Sequence, residues 1–315
     1  MLSRIPKSHL YAALTVFLWG FSYVGTRIVM VENTFTAGNL GFIRNLTACV
    51  FFIVLLVVKK HGIPPLRDWP IFIAAGGIGF GYYLILFNKG METLTGATSC
   101  IVLATAPLIT ALIASLSFRE KLSVPAWLAM LLAFAGTAIL ALWEGTFNVE
   151  AGVFWTLAAA VFISIYNIIQ RGLSRRYTSI QITAYSFITA IPLTIFLAPG
   201  AVGQFMEAPV LHQGVAVLMG IFPSALGYMF WAKALSVAAN TSSVVNYMFL
   251  TPFIALILCF MILGELPNTG TFVGGAVILS GLWLFNTSMR RQREALAAQA
   301  LQAAKLDEEK KPPLE

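Results

Sequence analysis

Apolar runs of about 20 residues, separated by short polar stretches, recur along the whole chain and decide what it can become. That is the length a helix needs to cross roughly 30 Å of hydrocarbon. Backbone in lipid must satisfy its own N–H and C=O groups, so such runs can only be spanning helices. Composition agrees: 58% of the 315 residues are hydrophobic and 10% are charged, against roughly 25% charged in an average soluble domain. The runs predict an all-α integral membrane protein with ten spans, near residues 10–30, 37–58, 69–88, 95–117, 124–142, 151–170, 179–197, 213–235, 241–262 and 270–288. The stretch around 198–212, with Pro199, Gly200 and Pro209, reads as the one longer loop. The first run follows Arg4 and Lys7, is too long for a simple signal-peptide core, and reads as a retained span 1.

Basic residues sit on alternate loops. With the N-terminus in the cytoplasm, the inner segments hold Arg4, Lys7, Lys59, Lys60, Arg67, Arg119, Lys121, Arg171, Arg175, Arg176, Lys233 and Arg290–Arg293, while the outer loops hold Lys89, with Arg27 near the outer end of span 1. This bias predicts both termini inside and an even span count, in an inner membrane. The net charge of +7 is thus a topology signal, and no basic, aromatic-interleaved face suggests nucleic acid as a partner. The expected partners are a small-molecule substrate and the lipid bilayer, for a monomer or weak homodimer. Residues 290–315 are too polar to cross and read as a cytoplasmic helical tail.

A repeat carries the most information. Shifting the sequence by 145 residues brings Pro107 onto Pro252, Glu120 onto Glu265, Gly136 onto Gly281 and Tyr83 onto Tyr228, without a gap. The halves run over 1–144 and 145–289 with five spans each. Five is odd, so the second copy enters from the opposite side: a 5+5 inverted repeat. Secondary transporters use this symmetry to expose a central site to alternate sides.

These residues resemble the drug/metabolite transporter superfamily, specifically its EamA-type members, over residues 10–289. Span 1 carries LWGFSYVGTRIVM, close to the Trp-Gly signature followed by a basic residue, with Arg27 where Lys is common. Span 2 carries FIRNLTA, similar to the family's Arg in an apolar helix, and REKL and GELP resemble its Glu turn after spans 4 and 9. The resemblance implies substrate export through a central cavity lined by spans 1, 3, 4, 6, 8 and 9. It leaves the substrate open among amino acids, nucleosides, sugar derivatives and drugs.

No Asp, Glu or His lies at mid-depth in any span. Intramembrane carboxylates and histidines are the usual proton relays, so facilitated diffusion or exchange is expected rather than tight proton coupling. Cys49, Cys100 and Cys259 lie in apolar runs without metal-ligand spacing, so no metal or cofactor is expected. An integral-membrane enzyme is the reading from another class, but HExxH and GxSxG are absent. A receptor or scaffold, and a drug efflux carrier, are further alternatives.

A charge at mid-bilayer is costly, so Arg44, two turns inside span 2, should face protein or a wet cavity, or snorkel outward. It either attracts a substrate carboxylate or is held by helix-end carbonyls or a glutamate; the same alternatives apply to Arg27. Polar and aromatic residues at depth are the other substrate-binding candidates: Trp19 and Tyr23 in span 1, Tyr82 and Tyr83 in span 3, and Thr98 in span 4. Tyr166 and Asn167 in span 6, Tyr228 and Trp231 in span 8, and Asn246 and Tyr247 in span 9 complete the set. A buried amide or hydroxyl needs a partner, from a neighbouring helix or from substrate and water. Ser224, Tyr228 and Trp231 are spaced to share one helical face. Pro107 and Pro252, at matched depth, each remove a backbone hydrogen bond and kink the helix, as hinges for alternating access or as static bends that widen a cavity. The expected cargo is a small amphipathic metabolite, with amino acids, aromatic or neutral, favoured.

Overall fold

A computed structural model describes residues 7–31, 33–118, 122–143, 151–237 and 246–309. Every regular element among them is helical. Eight segments are long and apolar enough to span: Lys7–Met30, Ala37–Val58, Leu66–Met91, Gly96–Ser117, Ala151–Leu173, Ser179–Glu207, Val210–Ala234 and Thr269–Gln292. Two shorter apolar helices, Val124–Leu140 and Thr251–Leu263, complete ten. They are numbered here as spans 1 to 10 in chain order. The near end of the bundle is where span 1 begins, and the far end is where it finishes.

Short polar residues start the helices. The side chains of Thr36, Thr95 and Thr178 accept hydrogen bonds from first-turn amides of spans 2, 4 and 7, satisfying donors a helix leaves open. Asn268 Oδ1 does the same for Thr271 N at 2.7 Å in span 10. Gly264, at φ 65°, ends span 9 in the left-handed region, where a side chain would be strained.

The symmetry is visible where spans 5 and 10 run antiparallel along a seam of small residues. Ser123 Oγ and Ser288 Oγ lie 2.8 Å apart at the near end, and Gly270 packs on Trp143 at the far end. Between them a Cβ at Gly136 would fall 2.8 Å from Ile278 N, and one at Gly281 would fall 2.7 Å from Ala133 N. Gly136 and Gly281 are repeat mates, and so are Ala133 and Ile278. One contact is therefore made twice about a twofold axis, with its two helices pointing opposite ways. Apolar burial gives no net drive between helices in lipid, so close approach through small residues supplies the packing. The rest obeys the same symmetry: span 1 packs on spans 8 and 9, and its mate, span 6, packs on spans 3 and 4.

Two expectations need correction. The stretch read as a loop near 198–212 is largely helical: after a short turn at Ile195–Leu197, a helix runs Ala198–Glu207 and span 8 begins at Val210. Pro199 sits in the helix's first turn, where its missing N–H costs nothing. Ala201 is buried against the start of span 2, and Gln204 Oε1 accepts from Thr36 N and Asn39 Nδ2. His212 is accordingly a buried residue in the first turn of span 8, its Nδ1 2.7 Å from Thr34 Oγ1.

Pro107 and Pro252 do not bend continuous helices. Each opens a new one: the chain turns at 104–105 before the helix Ala106–Phe118, and passes through a 3-10 turn, Asn246–Leu250, before Thr251–Leu263. A proline ring clashes with the carbonyl four residues earlier, which places both interruptions on its N-terminal side.

Spans 3 and 8 each contain a π-helical segment, Gly77–Tyr82 and Gly220–Leu226. Under the 145-residue shift these overlap. In span 8 the segment contains Pro223, whose missing N–H removes a bond from the regular ladder. Within that segment Ser224 is buried and its Oγ donates to Met219 O at 3.0 Å.

Span 10 continues without a break to Glu309. Glu32, Arg119, Glu120, Lys121 and residues 238–245 and 310–315 lie outside the described residues.

Candidate functional site

Where spans 1, 2, 3, 6, 7 and 8 meet at mid-depth, aromatic rings form a nearly continuous lining. Trp231 and Trp19 have centroids 5.4 Å apart, Trp19 and Tyr228 5.5 Å, and Tyr228 and Phe80 5.2 Å. Phe80 continues to Phe187 at 3.8 Å and to Tyr166 at 4.9 Å. On the other side Phe87 meets Tyr23 at 5.4 Å and Tyr83 at 6.1 Å. Trp19, Tyr83, Tyr228 and Trp231 are each only half-buried despite their depth, so they border a crevice rather than a filled core.

Arg44 stands at the base of this lining. It is 3% exposed. Its Nη2 donates to Ser22 Oγ at 2.9 Å, and Nη1 lies 3.5 Å from both Thr26 Oγ1 and Asn88 Oδ1. Its Cζ sits 5.9 Å above the Phe87 ring. Tyr23, Tyr83 and Tyr228 are within electrostatic reach. Among the described residues no carboxylate pairs with it, and Nε finds no acceptor. The next residue, Asn45, is 1% exposed with neither amide atom hydrogen-bonded. A buried, unneutralised guanidinium is expensive, and a planar fork of donors matches a carboxylate.

Arg27 is built differently. Its Nε donates to Glu265 Oε1 at 2.7 Å and its Nη1 to Met91 O at 3.1 Å, while Glu265 Oε2 accepts from Gly96 N at 3.3 Å. One ion pair thus ties spans 1, 3, 4 and 9 together at the far end. Of the two alternatives drawn for both arginines, Arg27 has the glutamate and the helix-end carbonyl, and Arg44 has neither.

The other candidates divide. Trp19, Tyr23, Tyr83, Tyr166, Tyr228 and Trp231 join the cluster around Arg44. Tyr82 points away, 44% exposed and 6.4 Å from Phe162. Thr98 is occupied by Thr95 and Thr271 hydroxyls, both at 2.8 Å. Asn167 Nδ2 donates to Thr110 Oγ1 at 3.4 Å. Tyr247 meets His9 Nδ1 at 3.1 Å near the near end. The side chain of Asn246 lies outside the described residues. Sequence reasoning missed Phe80, Phe87, Asn88 and Asn45. The two amides carried a signal, since an Asn within an apolar span needs a partner; the phenylalanines carried none.

An inverted ten-span bundle with a polar, aromatic crevice at mid-depth is the architecture of a membrane carrier. The chain belongs to the EamA-like transporter family, which matches residues 6–142 and again residues 150–287. It is 28% identical over 296 residues to a probable terminal-alkyne amino-acid exporter of Streptantibioticus cattleyicolor, covering 93% of this chain and 98% of that protein. It is 26% identical to the transporter YdfC of Bacillus subtilis, covering 89% and 90%. A solved crystal structure shares the fold with a TM-score of 0.58 at 17% identity, over 88% of this chain and 96% of that one.

Proposed function

We propose that this transporter exports or exchanges small amphipathic amino acids, aromatic or neutral, whose carboxylate is received by Arg44. The observation that carries the reading is the state of that guanidinium: buried, served only by neutral partners, and left with a free Nε. A charge-assisted, bidentate pair with a carboxylate would satisfy it. The rings of Trp19, Tyr23, Tyr83 and Tyr228 offer the cargo's apolar part a surface beside it. The exporter among the relatives is named for an amino acid, which agrees in class.

The two halves, 1–144 and 145–289, are the moving parts, with 290–315 as a cytoplasmic tail and both termini on the inner side of the bacterial plasma membrane. A monomer or weak homodimer suffices, because the crevice is built within one chain. The interruptions ahead of Pro107 and Pro252 and the π segments of spans 3 and 8 are matched between halves. Irregular backbone of this kind is where one half can flex against the other. Transport proceeds without a dedicated intramembrane proton carrier.

Counterflow in proteoliposomes tests this. Purified protein should exchange radiolabelled L-phenylalanine or L-leucine across the membrane with no pH gradient, and Tyr83→Ala should slow exchange without lowering membrane expression. Uptake that requires a pH gradient would contradict the coupling, and exchange of none of the neutral or aromatic amino acids would contradict the cargo.

A further inference from the structure

At the near end, away from the aromatic crevice, the start of span 3 and the end of span 6 enclose a cleft of about 640 Å³ lined by Arg67, Asp68, Ile71, Arg171, Arg175 and Arg176, among others. Among the described residues that line it, Asp68 is the one carboxylate, beside the guanidinium groups of Arg67, Arg175 and Arg176. That carboxylate is already engaged: Asp68 accepts from Tyr177 O–H at 2.5 Å and from Arg176 Nη1 at 3.3 Å, with Arg67 Nε at 3.7 Å. Arg67 is 79% exposed at its side chain, and Arg175 is exposed and forms no ion pair among the described residues. The cleft keeps a surplus of positive charge.

Its position is as specific as its charge. It opens where the apolar run of span 3 begins and that of span 6 ends. Exposed Leu66 and Ile71 extend along its flank, and Trp69 Nε1 donates to Pro64 O at 3.2 Å, fixing the entry to span 3. Cations therefore stand beside apolar surface at the boundary of the bilayer. The repeat does not demand this. Shifting Arg67 by 145 residues leads to His212, hydrogen-bonded to Thr34, and the mates of Arg171–Arg176 are Thr26–Val31, whose only cation is tied to Glu265. The cluster has been added to one end of a symmetric scaffold.

We propose that this cleft binds the headgroup of an anionic phospholipid, with its phosphate between Arg67 and Arg175 and its acyl chains along Ile71. Basic pockets between spans at a membrane face recognise such headgroups. The proposal is independent of the cargo at Arg44.

Native mass spectrometry of the full chain in a nonionic detergent tests it, with phosphatidylglycerol and phosphatidylcholine of identical acyl chains as probes. The intact protein should hold phosphatidylglycerol about tenfold tighter or more, since interfacial arginines attract anionic headgroups. Two variants should abolish that preference. One is Arg67→Gln with Arg175→Gln. The other is Gly172→Phe, which fills the cleft from a position where an added Cβ meets nothing within 4 Å and leaves every charge in place. If the double variant fails to fold, Gly172→Phe alone decides. Equal binding of the two lipids, or a preference surviving in the folded variants, would overturn the proposal. So would a rise in melting temperature with inorganic phosphate alone that needs the same arginines, with no preference between the lipids: the cleft would then be a site for a free anion.

Discussion

Arg27 Nε donates to Glu265 Oε1 at 2.7 Å, joining the first repeat to the second across the far end of the bundle. The two side chains are 16% and 17% exposed, so the pair is largely but not wholly withdrawn from solvent. Glu265→Gln leaves Arg27 with neutral acceptors only, the amide oxygen at 265 and Met91 O. It should lower stability by about 2 kcal/mol, less than the loss on breaking a fully buried pair. Melting in detergent checks this, and exchanging the two charges, Arg27→Glu with Glu265→Arg, should recover part of the loss.

Gly76 gives a packing test. A Cβ there would fall 2.2 Å from Thr189 Oγ1 and 2.4 Å from Ser186 O, and the second atom is backbone that cannot step aside. Gly76→Ala should force spans 3 and 7 apart at a cost of about 1–3 kcal/mol, read as a lowered melting temperature.

Gly203 gives the opposite sign. It lies within the helix Ala198–Glu207, and nothing stands within 4 Å of an added Cβ. Gly203→Ala should be neutral or stabilise by up to about 1 kcal/mol, whereas Gly203→Pro should destabilise by removing an interior helical hydrogen bond. Were both variants alike in melting temperature, this segment would not be the helix described.

Tyr177 and Asp68 give a pH test. The hydrogen bond from the phenol to the Asp68 carboxylate raises the Tyr177 pKa above its ordinary value of 10.0. The bond needs the protonated phenol. Its contribution to stability is therefore complete below the unfolded value and is lost as pH rises through the higher folded one. Ultraviolet difference titration of the protein against Tyr177→Phe should isolate this late-titrating phenol, and Asp68→Asn should move it to lower pH.

Much of the architecture was legible before any coordinates. Span length and charge segregation are fixed by bilayer thickness and by the cost of ions in lipid, so the ten helices and their inversion follow from counting runs and shifting the sequence by 145 residues. The helix Ala198–Glu207 was not legible. Pro199 and Gly200 are loop residues by local chemistry, and only docking on span 2, with Gln204 reaching Thr36, makes that segment helical. The π segments escaped for a related reason: periodicity assumes a constant turn, and each segment breaks it where Ser224 or the Gly77–Tyr82 run sits. In the site, depth alone singled out Arg44 and most of the ring residues. Depth could not tell Tyr82 from Tyr83, adjacent residues that one helical step sends to opposite surroundings. Nor could it tell Arg27, which has Glu265, from Arg44, which has no carboxylate.

The carboxylate role of Arg44 is tested most directly by calorimetric titration of purified protein with an amino acid and with its carboxamide, using L-phenylalanine and L-leucine. The account predicts that each acid binds the protein, that the matching amide does not, and that Arg44→Gln removes the difference while the protein still folds. Amides binding as tightly as acids, or Arg44→Gln retaining the full preference for the acid, would contradict it.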